Sequence, residues 1–221
     1  MDGMGSFYDY DYYENGHKTG KSGYSNYRWL GQPTIQLAQA ITDFCGINTT
    51  ESILDYGCAK GFLVKALRIS GFMKTFGCDI SSYAIANCDT AVDGLLYLID
   101  DRNTLESTFQ GMKFDWIISK DVFEHVPISL LPSILKGLSH ISKSLFIAVP
   151  LGDGNGNFII PEYHNDQSHV TILSEKEWIN LVSQSWIINK QSLRAEGIKD
   201  YWHGINEKGN LFLSLTSKEV H

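Results

Sequence analysis

The stretch "ILDYGCAKGF", Ile53 to Phe62, carries an apolar run into an acid, Asp55, and then into a turn holding Gly57 and Gly61 before apolar residues resume. A glycine turn between a strand and a helix lets a ligand approach bare backbone, and phosphates, dinucleotides and nucleosides all use that device. A phosphate-cradling loop needs Gly, four residues and then Gly-Lys-Ser/Thr, a string the chain lacks. A dinucleotide fingerprint aligned on Gly57 needs glycine at 59 and 62, where Ala59 and Phe62 stand. Asp55 just before the turn repels phosphate and suits a cationic ligand.

A second set of residues could move protons or hold a metal. His125 lies in "FEHVP", and "PEYHNDQSHVT" supplies His164, Asp166 and His169. Imidazoles are general bases near neutral pH, so His125, His169 and His164 are the catalytic candidates. A metal site from His164, Asp166 and His169 is allowed by ligand type, but the spacing H-x-x-x-x-H is unspecific, and no metal is expected.

Elements able to position these groups are visible as alternation. Strand-length apolar runs occur at 52–56, 75–79, 95–99, 114–119 and 144–150, and amphipathic stretches at 33–45, 61–70, 81–88 and 128–141. Such alternation predicts an α/β domain with a mostly parallel sheet and helices on both faces. Farther on, 174–184 reads as a helix with Ser174 and Glu177 in capping-box spacing, and 185–193 and 210–217 as an antiparallel pair at one sheet edge. Ligand sites in such sheets open at the carboxyl ends of the strands, where the glycine turn, His125 and the histidine loop all fall.

Composition narrows the partners. The 221 residues suffice for one domain with a full core. A net charge of −7, with no two basic residues adjacent, argues against duplex nucleic acid as partner. Cys45, Cys58, Cys78 and Cys88 show no paired spacing and read as reduced thiols of a cytoplasmic protein. No apolar run approaches membrane-spanning length, and the N-terminus lacks the pattern of a signal peptide.

Taken together, "DYGCAKG", "GCDIS" and "FDWIISKDVFEHVP" resemble, in order, three motifs of the class I S-adenosylmethionine-dependent methyltransferases, with Ala59 in place of the middle glycine of the first. The resemblance covers Ile53 to Pro150 and implies a single Rossmann-like three-layer domain, seven-stranded with an antiparallel edge strand. It divides 1–221 into an N-terminal lid (1–31), a cofactor-binding core (32–150) and an acceptor side (151–221). By resemblance, Gly57 and Gly61 underlie the methionine moiety, Asp55 holds its ammonium, and Cys58 and Ala59 contribute main chain. Asp79 takes the ribose hydroxyls and Ile80 packs on the adenine. Asp100 or Asp101 accepts from the adenine amino group, and Ser119 and Lys120 flank the sulfonium. Six of the eleven tyrosines fall between residues 8 and 27. Tyr24 and Tyr27 are expected to present ring faces to the positive sulfur, and Arg28 to meet the cofactor's carboxylate.

The implied reaction is methyl transfer from S-adenosylmethionine, leaving S-adenosylhomocysteine, to a hydroxyl or amine of a small polar acceptor. The segment "HND...HV...SEKEW" is similar to carbohydrate-modifying bacterial and phage methyltransferases, which points to a sugar or sugar-containing metabolite. A non-catalytic cofactor-binding protein and an NAD-dependent oxidoreductase are the alternatives.

Overall fold

The computed structural model describes residues 4–100, 105–202 and 208–219. Two short helices, α1 (Tyr10–Glu14) and α2 (Gly16–Thr19), lie in the N-terminal arm, and α3 (Gln32–Cys45) leads into the sheet. Then β1 (Ile53–Tyr56), α4 (Phe62–Ile69), β2 (Thr75–Asp79), α5 (Ser82–Ala86), β3 (Leu96–Leu98), α6 (Leu105–Thr108), β4 (Phe114–Lys120), α7 (Leu131–Ile141) and β5 (Ser142–Pro150) alternate. The chain closes with α8 (Glu175–Val182), β6 (Trp186–Ser192) and β7 (Asn210–Ser217).

These strands form one seven-stranded sheet in the order β3-β2-β1-β4-β5-β7-β6. Pairings from β3 to β5 are parallel, and β7 runs antiparallel to both β5 and β6. The reversed strand is therefore one in from the edge, and β6 forms the edge itself. Strand order turns back between β1 and β4, so the loops leaving these two strands diverge and open a crevice at their carboxyl ends.

Both faces are covered, which explains why the strands read as near-continuous apolar runs. Alternate residues serve opposite layers: Ile53 and Ile118 pack with Ile41 of α3 and Leu67 of α4, whereas Leu54 and Ile117 pack with Leu131, Leu135 and Leu138 of α7 and Trp178 of α8. Trp186 anchors the second layer by donating its indole N–H to the Leu135 carbonyl at 3.0 Å.

Four helices, α4, α5, α7 and α8, are shorter than their apolar patterns predict. α7 starts at Leu131 rather than 128 because Pro132, lacking an N–H, is tolerated only in a first turn, and Ile128 is left exposed. Ser81 caps α5, its hydroxyl accepting from Ala84 N–H at 2.9 Å. In α8 the expected box pairing is present, with Glu177 accepting from Ser174 N–H at 2.8 Å. No helix of the described residues is long and apolar enough to cross a membrane.

Candidate functional site

At the carboxyl end of β1 the chain turns sharply, with Gly57 N–H and Cys58 N–H both donating to the Cys78 carbonyl, at 2.8 and 3.0 Å. Gly57 adopts φ 81° and Gly61 φ 77°, the left-handed region that glycine occupies freely. Their surroundings exclude side chains as well. A Cβ on Gly57 would stand 2.4 Å from a Val122 methyl, so the β1 and β4 exits touch across the crevice. A Cβ on Gly61 would meet Leu96 at 2.7 Å and Val92 at 2.8 Å. Ala59 takes φ 48° in the same region, at the position where the resembled motif has glycine. Gly57→Ala combines left-handed strain with the Val122 clash, at a cost of at least about 2 kcal/mol. The melting temperature should fall by about 4 °C or more, which differential scanning calorimetry would read.

Two carboxylates flank this turn. Asp79, ending β2, is 7% exposed; its Oδ2 accepts from Ala59 N–H at 2.7 Å and its Oδ1 from Ser81 N–H at 2.8 Å, tying the β1 and β2 exits together. Burial raises its pKa, and those N–H groups work against the rise. Asp55 is 4% exposed and pushed up to about 8, first by burial and then by the charge of Asp79, with Lys120 opposing. Cys58 is buried beside Gly77, and burial holds its thiol well above the ordinary range.

The N-terminal arm lies across this end of the sheet. Tyr12 and Tyr13, each 4% exposed, pack with Ala84 of α5, Ala59 of the turn, Tyr83, Phe7, Tyr8 and Tyr27. Ser81 donates its hydroxyl to the Tyr8 carbonyl. Lys60, just after the glycine turn, pairs with Glu14 and donates to the Tyr27 carbonyl at 3.2 Å. On the other side of the crevice Tyr8 meets the His125 ring edge-on, centroids 6.0 Å apart, and Tyr12 OH donates to Asp166 at 2.9 Å. The arm thus bridges both walls. Two open cavities of about 330 and 470 Å³ lie elsewhere, lined by Leu151 and Leu193 in one case and by Gln36 and Phe44 in the other.

Beyond β4 the polar groups converge. Asp121 sits at φ 56° and pairs with both Lys120 and Lys199. Burial would raise Asp121, but the two ammonium groups outweigh it and hold the carboxyl well below its usual value. Lys199 also donates to Tyr163 OH at 2.9 Å and Asn210 Oδ1 at 3.0 Å. Glu124 is fully buried and pushed up to about 8 by burial and then by Asp121. The Glu124 carbonyl accepts from Val170 N–H at 2.9 Å and Thr171 N–H at 3.0 Å, drawing the histidine loop onto the β4 exit. The His125 and His169 rings consequently lie 4.6 Å apart. Burial and then His169 lower His125 to about 4, and burial lowers His169, so both imidazoles are neutral at pH 7.

The structure brings Asp55, Gly57, Cys58, Ala59, Gly61, Asp79 and Ile80 together at one strand-end crevice, with buried Ser119 and half-buried Lys120 at the end of β4. His125 and His169 meet, whereas His164 turns to accept from Phe158 N–H at 3.2 Å. Asp100 is exposed after β3, and Asp101 lies outside the described residues. Tyr27 tilts against Phe62, Tyr24 is 38% exposed, and Arg28 is exposed. The rings buried most deeply are instead Tyr12 and Tyr13. Composition could not rank the six tyrosines. Asp9, however, stands at N-cap spacing before "YDYYE" and caps α1, and that signal locates the helix presenting Tyr12 and Tyr13.

Residues 32–194 match a family model described as a methyltransferase domain. No curated protein matches the chain. Among solved structures, a chain of the complex between the Haloferax volcanii Trm112 methyltransferase activator and a methyltransferase is 16% identical and superposes with a TM-score of 0.63, over 83% of this chain and 90% of that one. The magnesium protoporphyrin IX methyltransferase of Synechocystis, solved with bound SAH, is 14% identical with a TM-score of 0.58, over 83% of each chain. The cyclase SpnF is 13% identical with a TM-score of 0.61, over 85% of this chain and 81% of its own. At these identities the likenesses carry the fold and leave the reaction open. The family match spans well over half of the chain, from α3 through β6, and on that ground the protein belongs to the methyltransferase-domain family, built as a Rossmann-like α/β domain.

Proposed function

We propose that this protein transfers the methyl group of S-adenosylmethionine to a hydroxyl or amine of a small polar acceptor, with a sugar or sugar-containing metabolite as the favoured class. The observation that carries the reading is the pair of buried carboxylates, Asp55 and Asp79, on either side of a left-handed glycine turn. A charged Asp79 and an Asp55 that ionises to meet an ammonium serve a diphosphate poorly and an aminoacyl nucleoside well.

The donor set fits. Each Asp79 oxygen accepts one N–H and keeps a second lone pair for a ribose hydroxyl. Asp55, with Lys120 as its nearby opposing charge among the described residues, would face the ammonium, above the Gly57–Gly61 turn and the main chain of Cys58 and Ala59. Ile80 and either Asp100 or Asp101 would serve the adenine side, and Ser119 and Lys120 the strand mouth. The bound cofactor supplies a methyl group already activated by a sulfonium, so the chain has to align the acceptor and exclude water, worth about 7 to 11 kcal/mol. The aromatic arm, with Tyr24 and Tyr27 among its rings and Arg28 at its end, suits water exclusion. The neutral His125–His169 pair is the candidate for loosening the proton of a hydroxyl acceptor.

Asp55 makes the binding pH-dependent. Its raised value leaves it largely protonated at pH 7, and pairing with an ammonium requires the carboxylate, so binding must release a proton. Affinity for S-adenosylhomocysteine should fall about tenfold per pH unit below about 8, where Asp55 must lose its proton to pair with the ammonium. Calorimetry at pH 6 to 8 in two buffers of different ionisation enthalpy reads the proton directly; Asp55→Asn should abolish it.

Labelled S-adenosylmethionine with a panel of glycosides, sugar nucleotides and small amines tests the reaction. Label should enter an acceptor bearing a hydroxyl or amine and stay out of duplex DNA. Tight nucleoside binding with no transfer to any acceptor would favour the non-catalytic alternative.

A further inference from the structure

We infer that Glu124, His125 and His169 form a binding site for a divalent first-row transition cation at the acceptor side of the crevice. One ligand atom from each of the three lies within 4.8 Å of the others. Bonds of about 2.1 Å set the ligand atoms of a tetrahedral ion about 3.4 Å apart, so side-chain shifts of roughly an ångström close the set.

The independent observation is Glu124. It is fully buried, and neither carboxylate oxygen has a hydrogen-bond partner among the described residues. Leaving a buried carboxyl without partners is costly, and native proteins rarely do so without a ligand or a functional reason. The nearby cations are already engaged elsewhere: Lys120 and Lys199 both pair with Asp121, and Lys199 also serves Tyr163 and Asn210.

Hydrogen bonding also presets both imidazoles. His169 Nδ1 lies 2.6 Å from the Tyr163 carbonyl, which only accepts, so Nδ1 carries the proton and Nε2 the free lone pair. Ser168 donates its single hydroxyl hydrogen to Asp166 at 2.5 Å, so its oxygen accepts from His125 Nδ1–H at 2.7 Å. His125 is thereby held in the same tautomer. Backbone carbonyl and carboxylate-linked partners on Nδ1 are the usual outer support of metal-binding histidines. Two imidazoles and one carboxylate suit zinc, iron or cobalt better than magnesium or calcium, and three ligands leave positions open for an acceptor oxygen. A hydroxyl bound there would give up its proton to solvent more readily.

The test uses the full chain, stripped with chelator and titrated with Zn²⁺ by calorimetry, with Co²⁺ as a visible-absorption probe. One ion per chain should bind, weakened at least a hundredfold by Glu124→Gln and by His169→Ala. His140→Ala, at an exposed histidine near Glu219, should leave binding unchanged. If Glu124→Gln fails to fold, His169→Ala and the Co²⁺ spectrum decide. No ion bound, or equal binding in both variants, overturns the site. S-adenosylhomocysteine is titrated in parallel: its binding by a chain that takes up no ion rejects the metal site while leaving the methyl-transfer reading intact.

Discussion

Asp79→Ala is expected to weaken S-adenosylhomocysteine binding by a hundredfold or more and to lower the melting temperature in the same variant. Two hydroxyl hydrogen bonds to a carboxylate contribute about 1.5 to 3 kcal/mol each, which sets the binding loss. The second effect follows from where Asp79 sits. Its oxygens also hold Ala59 N–H and Ser81 N–H, and removing both acceptors leaves two donors unsatisfied at about 1 to 3 kcal/mol apiece. For a domain of this size that is a fall of about 4 °C or more. Calorimetric titration at a temperature where circular dichroism shows the variant folded separates the two effects. Unchanged affinity there would move the ribose contact to another residue.

Removing residues 1–30 is the second large perturbation. The family match begins at residue 32, and the sheet and its covering helices lie wholly beyond the arm, so the shortened chain should fold. Affinity for S-adenosylmethionine should drop about ten- to a hundredfold, as Tyr12 and Tyr13 leave Ala59 and Ala84 and the Lys60–Glu14 pair is lost. Each aromatic face near a cationic ligand contributes on the order of 0.5 to 2 kcal/mol, so two or three rings account for the fall. Tighter binding by the shortened chain would make the arm an occluding segment instead of a lid.

How far the sequence revealed this arrangement depends on the range of the interactions involved. Strands β1, β2 and β4 were legible because burial on both faces writes a local apolar run, and their ends are marked by Asp55, Asp79 and Lys120. The glycine turn was legible through the left-handed backbone that Gly57 and Gly61 permit, a local demand, although Val122, Cys78 and Leu96 close on it from distant segments. Groups assembled from distant segments were not. Lys199 reaches Asp121 through a left-handed backbone at φ 58°, a conformation no local pattern announces. Glu124 carries a side chain normally found at surfaces, and only the packing of the histidine loop on its carbonyl buries it. The pairing of His125 with His169 rests on those same two backbone bonds, and His164 is turned away by its bond from Phe158 N–H. In the arm, short helices of four or five residues leave too little periodicity to say which tyrosines turn inward.

The central claim is that the turn between Asp55 and Gly61 grips a nucleoside carrying an amino acid in place of a diphosphate. Isothermal titration of the full chain with S-adenosylhomocysteine and, separately, with NAD tests it most directly. The account predicts one S-adenosylhomocysteine per chain at micromolar or tighter affinity and no heat from NAD. Saturable binding of NAD with none of S-adenosylhomocysteine would contradict it.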